Sequence, residues 1–163
     1  HCSSAASDVY KRQLLDSLAI LPWVTGARVL DVGTGAGLPG IPLAIALPDQ
    51  QFVLLDSQGK KTRFVQQVIA KLALSNVTVE QIRIEAYRPA IGFDTITARA
   101  FCQVDELIRL TTPVRADQGK WALMLGRLEA VDLQSLQVLG MQHQVIPLQV
   151  PNEKAQRHVL QAW

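Results

Sequence analysis

Apolar residues in this chain gather either into short continuous runs or into stripes at helical spacing, and the two kinds alternate. The runs are Ala27-Arg28-Val29-Leu30-Asp31-Val32, Gln51-Phe52-Val53-Leu54-Leu55-Asp56, Val77-Thr78-Val79, and the stretches 92–101 and 119–125. Short apolar runs bounded by turn residues predict buried strands. Helical spacing predicts helices between them. Leu14, Leu15, Leu18 and Leu21 form one stripe that stops at Pro22, and 40–47 forms a short helix left through Pro48-Asp49. From Lys60 onward Phe64, Val65, Val68, Ile69 and Leu72 share a face; 104–110 is stopped by Pro113, and 128–139 is closed by Gly140. The segment 83–86 reads as a loop or a short helix. Alternating strands and helices predict an α/β domain with a mostly parallel sheet and right-handed crossovers. The tail differs: 141–150 is extended, 151–156 is polar, and Arg157-His158-Val159-Leu160 opens another apolar run, a pattern that predicts an antiparallel C-terminal hairpin.

Composition narrows the class without naming a function. With 163 residues, 48% of them hydrophobic and 18% charged, the chain has enough apolar material for one domain and is not a disordered sequence. A formal charge of +2 permits a nucleic-acid partner without requiring one. No apolar stretch reaches the length of a membrane span and no signal peptide is visible, so no membrane partner is expected. Cys2 and Cys102 offer neither a disulfide framework nor metal-ligand spacing, so no metal is expected and a reducing, cytoplasmic setting is. Residues 1–13 are small, polar and patternless, and their wording resembles translated adapter sequence; a natural disordered terminus is the other reading. The domain is expected over 14–163.

The candidate chemistry centres on Asp31-Val32-Gly33-Thr34-Gly35-Ala36-Gly37-Leu38-Pro39-Gly40. A strand that breaks into glycines before a helix gives a turn whose backbone can approach a ligand closely. Gly33-x-Gly35-x-Gly37 is the glycine pattern of S-adenosylmethionine (SAM) enzymes, yet Gly35-x-Gly37-x-x-Gly40 also spells the dinucleotide fingerprint. Asp31 separates the two: a carboxylate there could meet a cationic methionine amine but would repel a pyrophosphate.

Asp56 ends the second strand about twenty residues beyond the turn, the position of a ribose-binding acid in a βαβ unit. The alternative is a charge at the N-terminus of the following helix. Lys60 and Lys61 lie mostly off the apolar face of that helix and are either a solvated face or an RNA contact. Arg99 arrives at the C-terminal end of the fourth strand, the edge at which open α/β sheets bind ligands; a structural ion pair is its plainer reading.

Leu15-Asp16-Ser17, the Asp31-to-Leu43 stretch with its Gly-Leu-Pro-Gly-Ile-Pro extension, Leu55-Asp56-Ser57-x-Gly59-Lys60-Lys61-x-Arg63-Phe64, Phe93-Asp94, Arg99-Ala100-Phe101 and Arg157-His158 together resemble the bacterial 16S ribosomal RNA guanine-N7 methyltransferases, the glucose-inhibited division protein B family. The resemblance runs from about Leu14 to Leu160. It implies a class I SAM-dependent methyltransferase fold, a seven-stranded sheet with an antiparallel edge hairpin, and methylation of N7 of guanine 527 in 16S ribosomal RNA, free or in a small-subunit assembly intermediate. The enzyme is expected as a monomer. It also implies a cofactor site lined by Gly33, Leu38, Ile84, Glu85 and Arg99; with Asp31, Gly35 and Asp56 from the residues themselves, these are the expected SAM contacts. Lys60, Lys61 and Arg157 are the expected RNA contacts.

Guanine N7 carries an in-plane lone pair and no proton, so the expected reaction needs no general base and Arg99 is read as a positioning group. Two features depart from the family. Its N-terminal helical region has no counterpart before Leu14, and a strand that ends Leu-Lys-Gly in relatives reads Met124-Leu125-Gly126. Other readings are a nucleotide-binding module that is inactive as this fragment, and an NAD-dependent oxidoreductase.

Overall fold

The computed structural model describes residues 3–99, 103–126, 134–150 and 156–163. Seven strands form one sheet in the order β3-β2-β1-β4-β5-β7-β6. In chain order the elements are α1 (Ser3–Leu18), β1 (Arg28–Val32), α2 (Gly40–Ala46), β2 (Gln51–Leu55), α3 (Gly59–Leu72), β3 (Val77–Glu80), β4 (Phe93–Arg99), α4 (Val104–Thr111), β5 (Arg115–Leu125), α5 (Gln134–Val138), β6 (His143–Leu148) and β7 (Arg157–Ala162), with 3₁₀ turns at Leu21–Trp23, Ile84–Ala86 and Thr112–Val114. β1 to β5 run parallel, while β7 lies antiparallel to both β5 and β6. This is the sheet that the alternation and the changed tail predict.

Two apolar layers cover the faces. On one, Leu30, Leu55, Ile96 and Trp121 pack with Leu107 and Ile108 of α4. On the other, Val29, Phe52 and Leu54 pack with Ile41 and Leu43 of α2, Val65 of α3 and Ile20. Strands buried on both faces need apolar residues at successive positions, which explains the unbroken runs.

Several boundaries move. α1 runs back through 3–13, where the sequence has no apolar period; Asp8 to Arg12 are exposed, and the helix meets the core from Asp16 onward. Exposed helix can form without a stripe, so periodicity could not mark its start. β5 begins at Arg115 rather than Gly119 because its pairing with β4 slips between Phe93↔Arg115 and Thr95↔Lys120. The polar residues Asp117-Gln118-Gly119 belong to that irregularity and hid the strand. Of the helix expected over 128–139, Gln134–Val138 is described; 127–133 lie outside the described residues, as do 151–155, Cys2, Cys102, and Ala100 and Phe101 of the strand expected over 92–101.

Candidate functional site

The carboxyl ends of β1 and β2 open into a cleft of about 450 Å³. Val32 and Gly33 from β1 and the turn after it, with Leu55, Asp56 and Ser57 from the end of β2, form its floor. One wall is Ile82 to Glu85, the segment leading into the 3₁₀ turn after β3; the other is Gln103, Glu106, Leu107 and Leu110 of α4 and its N-cap. Of the residues expected at the cofactor, Gly33, Asp56, Ile84 and Glu85 are thus brought together.

The glycine loop is held from both sides. Gly33, Gly35 and Gly37 all have positive φ, between +60° and +87°. At Gly37 a Cβ would also crowd the Ile41 side chain, which would have to swing aside, and the backbone angle is what requires glycine there. Asp56 fixes the loop's outer turn: its Oδ2 accepts the Gly35 N–H at 3.0 Å and its Oδ1 accepts the Gln58 N–H at 2.9 Å. Gly35 therefore enters the site through Asp56.

Asp31 is placed otherwise than expected. Its carboxylate is fully buried beneath the loop and is not part of the cleft lining. Oδ2 accepts the Thr34 hydroxyl at 2.6 Å and the Gly40 N–H at 3.0 Å. A Cβ on Gly40 would run into Leu54 and stand 2.7 Å from that oxygen, so the missing side chain is what lets α2 seat directly on the acid. Burial pushes the Asp31 carboxyl up to about 7 against the two hydrogen bonds and the nearby positive charge of Arg99, which pull it down; the charge of Asp56 adds to the rise. Asp31 Oδ1 and, across the Asp31↔Thr97 register pair, Thr97 Oγ1 are both buried without a hydrogen-bond partner. Asp31 supports the loop from below, outside the cleft lining.

Arg99 does close β4 at the carboxyl edge, where its charge reaches Asp31. It is half-buried and stands outside the cleft lining, as does Leu38 in the loop. The three expected RNA contacts separate. Lys60 and Lys61 are both exposed, and Lys61 Nζ lies 4.0 Å from Asp56 Oδ2. Arg157 is drawn away from solvent: its Nε donates to Asp16 Oδ2 at 3.1 Å, joining β7 to α1. Beside it His158 Nδ1 lies 3.1 Å from the Gly126 carbonyl, which can only accept, so Nδ1 carries the proton. Leu125, opposite His158 in the register, is buried.

Reasoning from sequence missed the α4 wall. Its signal was present: Gln103, Glu106, Leu107 and Leu110 recur at three- and four-residue spacing and so share a helix face. That stripe reads as core packing until the facing Ile82–Glu85 wall is in place.

The arrangement has known relatives. A SAM-dependent methyltransferase from Aquifex aeolicus superposes with a TM-score of 0.72 at 20% identity, covering 92% of this chain and 90% of that one. The precorrin-6y C5,15-methyltransferase of Geobacter metallireducens gives 0.70 at 16% identity over 92% of this chain and 86% of its own. At these identities the likeness establishes the fold, the class I SAM-dependent methyltransferase fold. Sequence establishes more. The ribosomal RNA small subunit methyltransferase G of Legionella pneumophila strain Philadelphia 1 is 52% identical over 122 residues, 75% of this chain and 59% of the relative, and the protein of that name from Coxiella burnetii strain RSA 331 is 43% identical over 148 residues, 91% and 71%. The chain thus spans somewhat under two thirds of the Legionella protein. The family model for rRNA small subunit methyltransferase G, GidB, matches residues 2–160, and this chain belongs to that family.

Proposed function

We propose that the chain is the catalytic domain of an enzyme that methylates N7 of guanine 527 in 16S ribosomal RNA with SAM as methyl donor, acting as a cytoplasmic monomer on the RNA or on a small-subunit assembly intermediate. The observation that carries this reading is the meeting of Gly33, Asp56, Ile84 and Glu85 in one cleft at the sheet's carboxyl edge, in a chain of the methyltransferase G family. The cleft's size falls within the range of about 300–1,000 Å³ usual for small-ligand sites. No helix among the described residues is long and apolar enough to cross a membrane.

The residues present fit SAM. Asp56 keeps unused lone pairs after accepting two backbone amides and would take the ribose hydroxyls. Gly33 has no side chain to fill the floor, and Ile84 with Leu107 and Leu110 supplies apolar walls for a flat base. When bound, the cofactor supplies an electrophilic methyl group. Guanine N7 has nothing to deprotonate, so the task left to the protein is alignment, and no side chain has to act as a base. Arg99 at the end of β4 would orient the guanine through its planar fork of donors. Lys60 would contact RNA phosphate.

Transfer of labelled methyl from SAM to unmodified 16S ribosomal RNA or small-subunit particles, located by mass spectrometry of nuclease digests, tests the reading; absence of N7-methylguanosine would refute it. With binding saturated, the single-turnover rate should be nearly flat from about pH 6.5 to 8.5. Arg99→Lys should lower that rate at least tenfold while leaving the profile flat, since it keeps the charge and loses the fork. A tenfold rise per pH unit would mean that a titrating base takes part.

A further inference from the structure

We propose that Lys61 is a cofactor-side positioning residue that acts through Asp56, and not an RNA contact. The inference rests on the functional reading above and assigns a role to one of its charged groups. Lys60 and Lys61 are neighbours in the first turn of α3, about 100° apart around the axis, so their side chains leave the helix in different directions. Lys60 projects into solvent, and among the described residues no carboxylate pairs with it. Lys61 is also exposed and does not line the cleft, but its ammonium lies 4.0 Å from Oδ2 of Asp56, which does.

That oxygen is the one that accepts the Gly35 N–H, and the carboxylate's other oxygen accepts the Gln58 N–H. Asp56 is itself nearly buried, at 6% exposure, while Lys61 remains accessible to solvent. Two neutral amides orient the carboxylate without offsetting its charge. The ammonium of Lys61 is the cation that the described ion pairs place beside it, and it holds Asp56 in the position that serves the glycine loop and the cleft together. A ribose donating to Asp56 would meet an acceptor already aligned from three directions. The two charges stand at charge-pairing distance with no hydrogen bond between them, which leaves the inner face of the carboxylate open to the cleft.

The test measures binding of SAM and of its demethylated product, S-adenosylhomocysteine, by calorimetry, and binding of 16S ribosomal RNA across a salt series. Lys61→Met should weaken both cofactor forms by the same factor, about three- to tenfold, because they carry the same ribose; KM for SAM should rise with kcat unchanged. RNA affinity and its salt slope should not move. Lys61→Arg should restore cofactor affinity, which separates a charge role from simple packing, and Lys71→Met, the same charge loss at the far end of α3, should leave it unaltered. Cofactor affinity unchanged in a folded Lys61→Met protein overturns the inference; if RNA binding falls in its place and the salt slope drops by about one, Lys61 is a phosphate ligand. Wild-type protein that binds neither cofactor form overturns the functional reading and this inference with it, whereas wild-type binding that survives Lys61→Met overturns the inference alone.

Discussion

Asp31 carries the largest electrostatic perturbation among the described residues, and its effect on stability has a definite sign. Its folded-state value of about 7 lies above the ordinary 3.8, so the folded protein holds the proton more tightly than the unfolded chain does. Stability contributed by this group is therefore greatest below about pH 4, declines as pH rises through the interval between the two values, and levels off above about pH 7. Asp31→Asn keeps an acceptor for Thr34 and Gly40 and removes the charge, so the decline, on the order of a few kcal/mol, should vanish from chemical denaturation curves taken across that interval. A parallel pH dependence in the variant would contradict the assignment. From the sequence Asp31 is expected to face a cofactor, and in the fold its Oδ2 turns to Thr34 and Gly40 under the glycine loop. An acid two residues before a glycine turn can face outward to a ligand or inward to the turn, and only the glycine at position 40, which allows α2 to sit on the carboxylate, decides between them. The place of Asp56 in the cleft was legible because a strand end at the carboxyl edge leaves fewer options. The Asp16–Arg157 pair was not, since no local rule joins residues at opposite ends of a chain.

Among the elements, α3 demonstrates how far a periodic stripe can be trusted. Phe64, Val65, Val68, Ile69 and Leu72 share a face on the helical wheel, yet Val65 is wholly buried while Phe64 and Leu72 are half exposed. A short strand face cannot cover the full width of a broad apolar stripe, so the outer residues hang over its margin. Val65→Ala should cost about 2 kcal/mol, two methyl groups' worth of transfer plus a small cavity. Phe64→Ala should cost under about 1 kcal/mol despite removing a larger side chain. Thermal denaturation of the two variants compares them directly, and equal losses would mean that α3 is rotated from the position described. The α4 wall of the cleft illustrates the converse: a stripe read as core is partly a ligand-facing surface, because Leu107 serves both the apolar layer and the cleft.

At the scale of the whole molecule, alternating runs and stripes were enough to foresee a parallel sheet with an antiparallel edge, because that alternation leaves few topologies that bury every strand. What they could not convey is how much hangs on β7. This strand lies between β5 and β6, and its His158, Val159, Leu160 and Ala162 are buried. Truncation after Gln156 would strip the partner from both neighbours at once and expose two hydrogen-bonding edges. The shortened protein should lose its cooperative thermal transition and aggregate, as followed by calorimetry and light scattering; a soluble, cooperatively folding product would contradict this. The same insertion sets an order in time. β6 precedes β7 in the chain but among the described residues pairs with no other strand, and β5 waits across more than thirty residues for its second neighbour. During synthesis residues 143–148 must therefore leave the ribosome unpaired and stay so until 157–162 have emerged, so the sheet is completed only after translation has passed its last strand, with a slow, long-range pairing as the closing step.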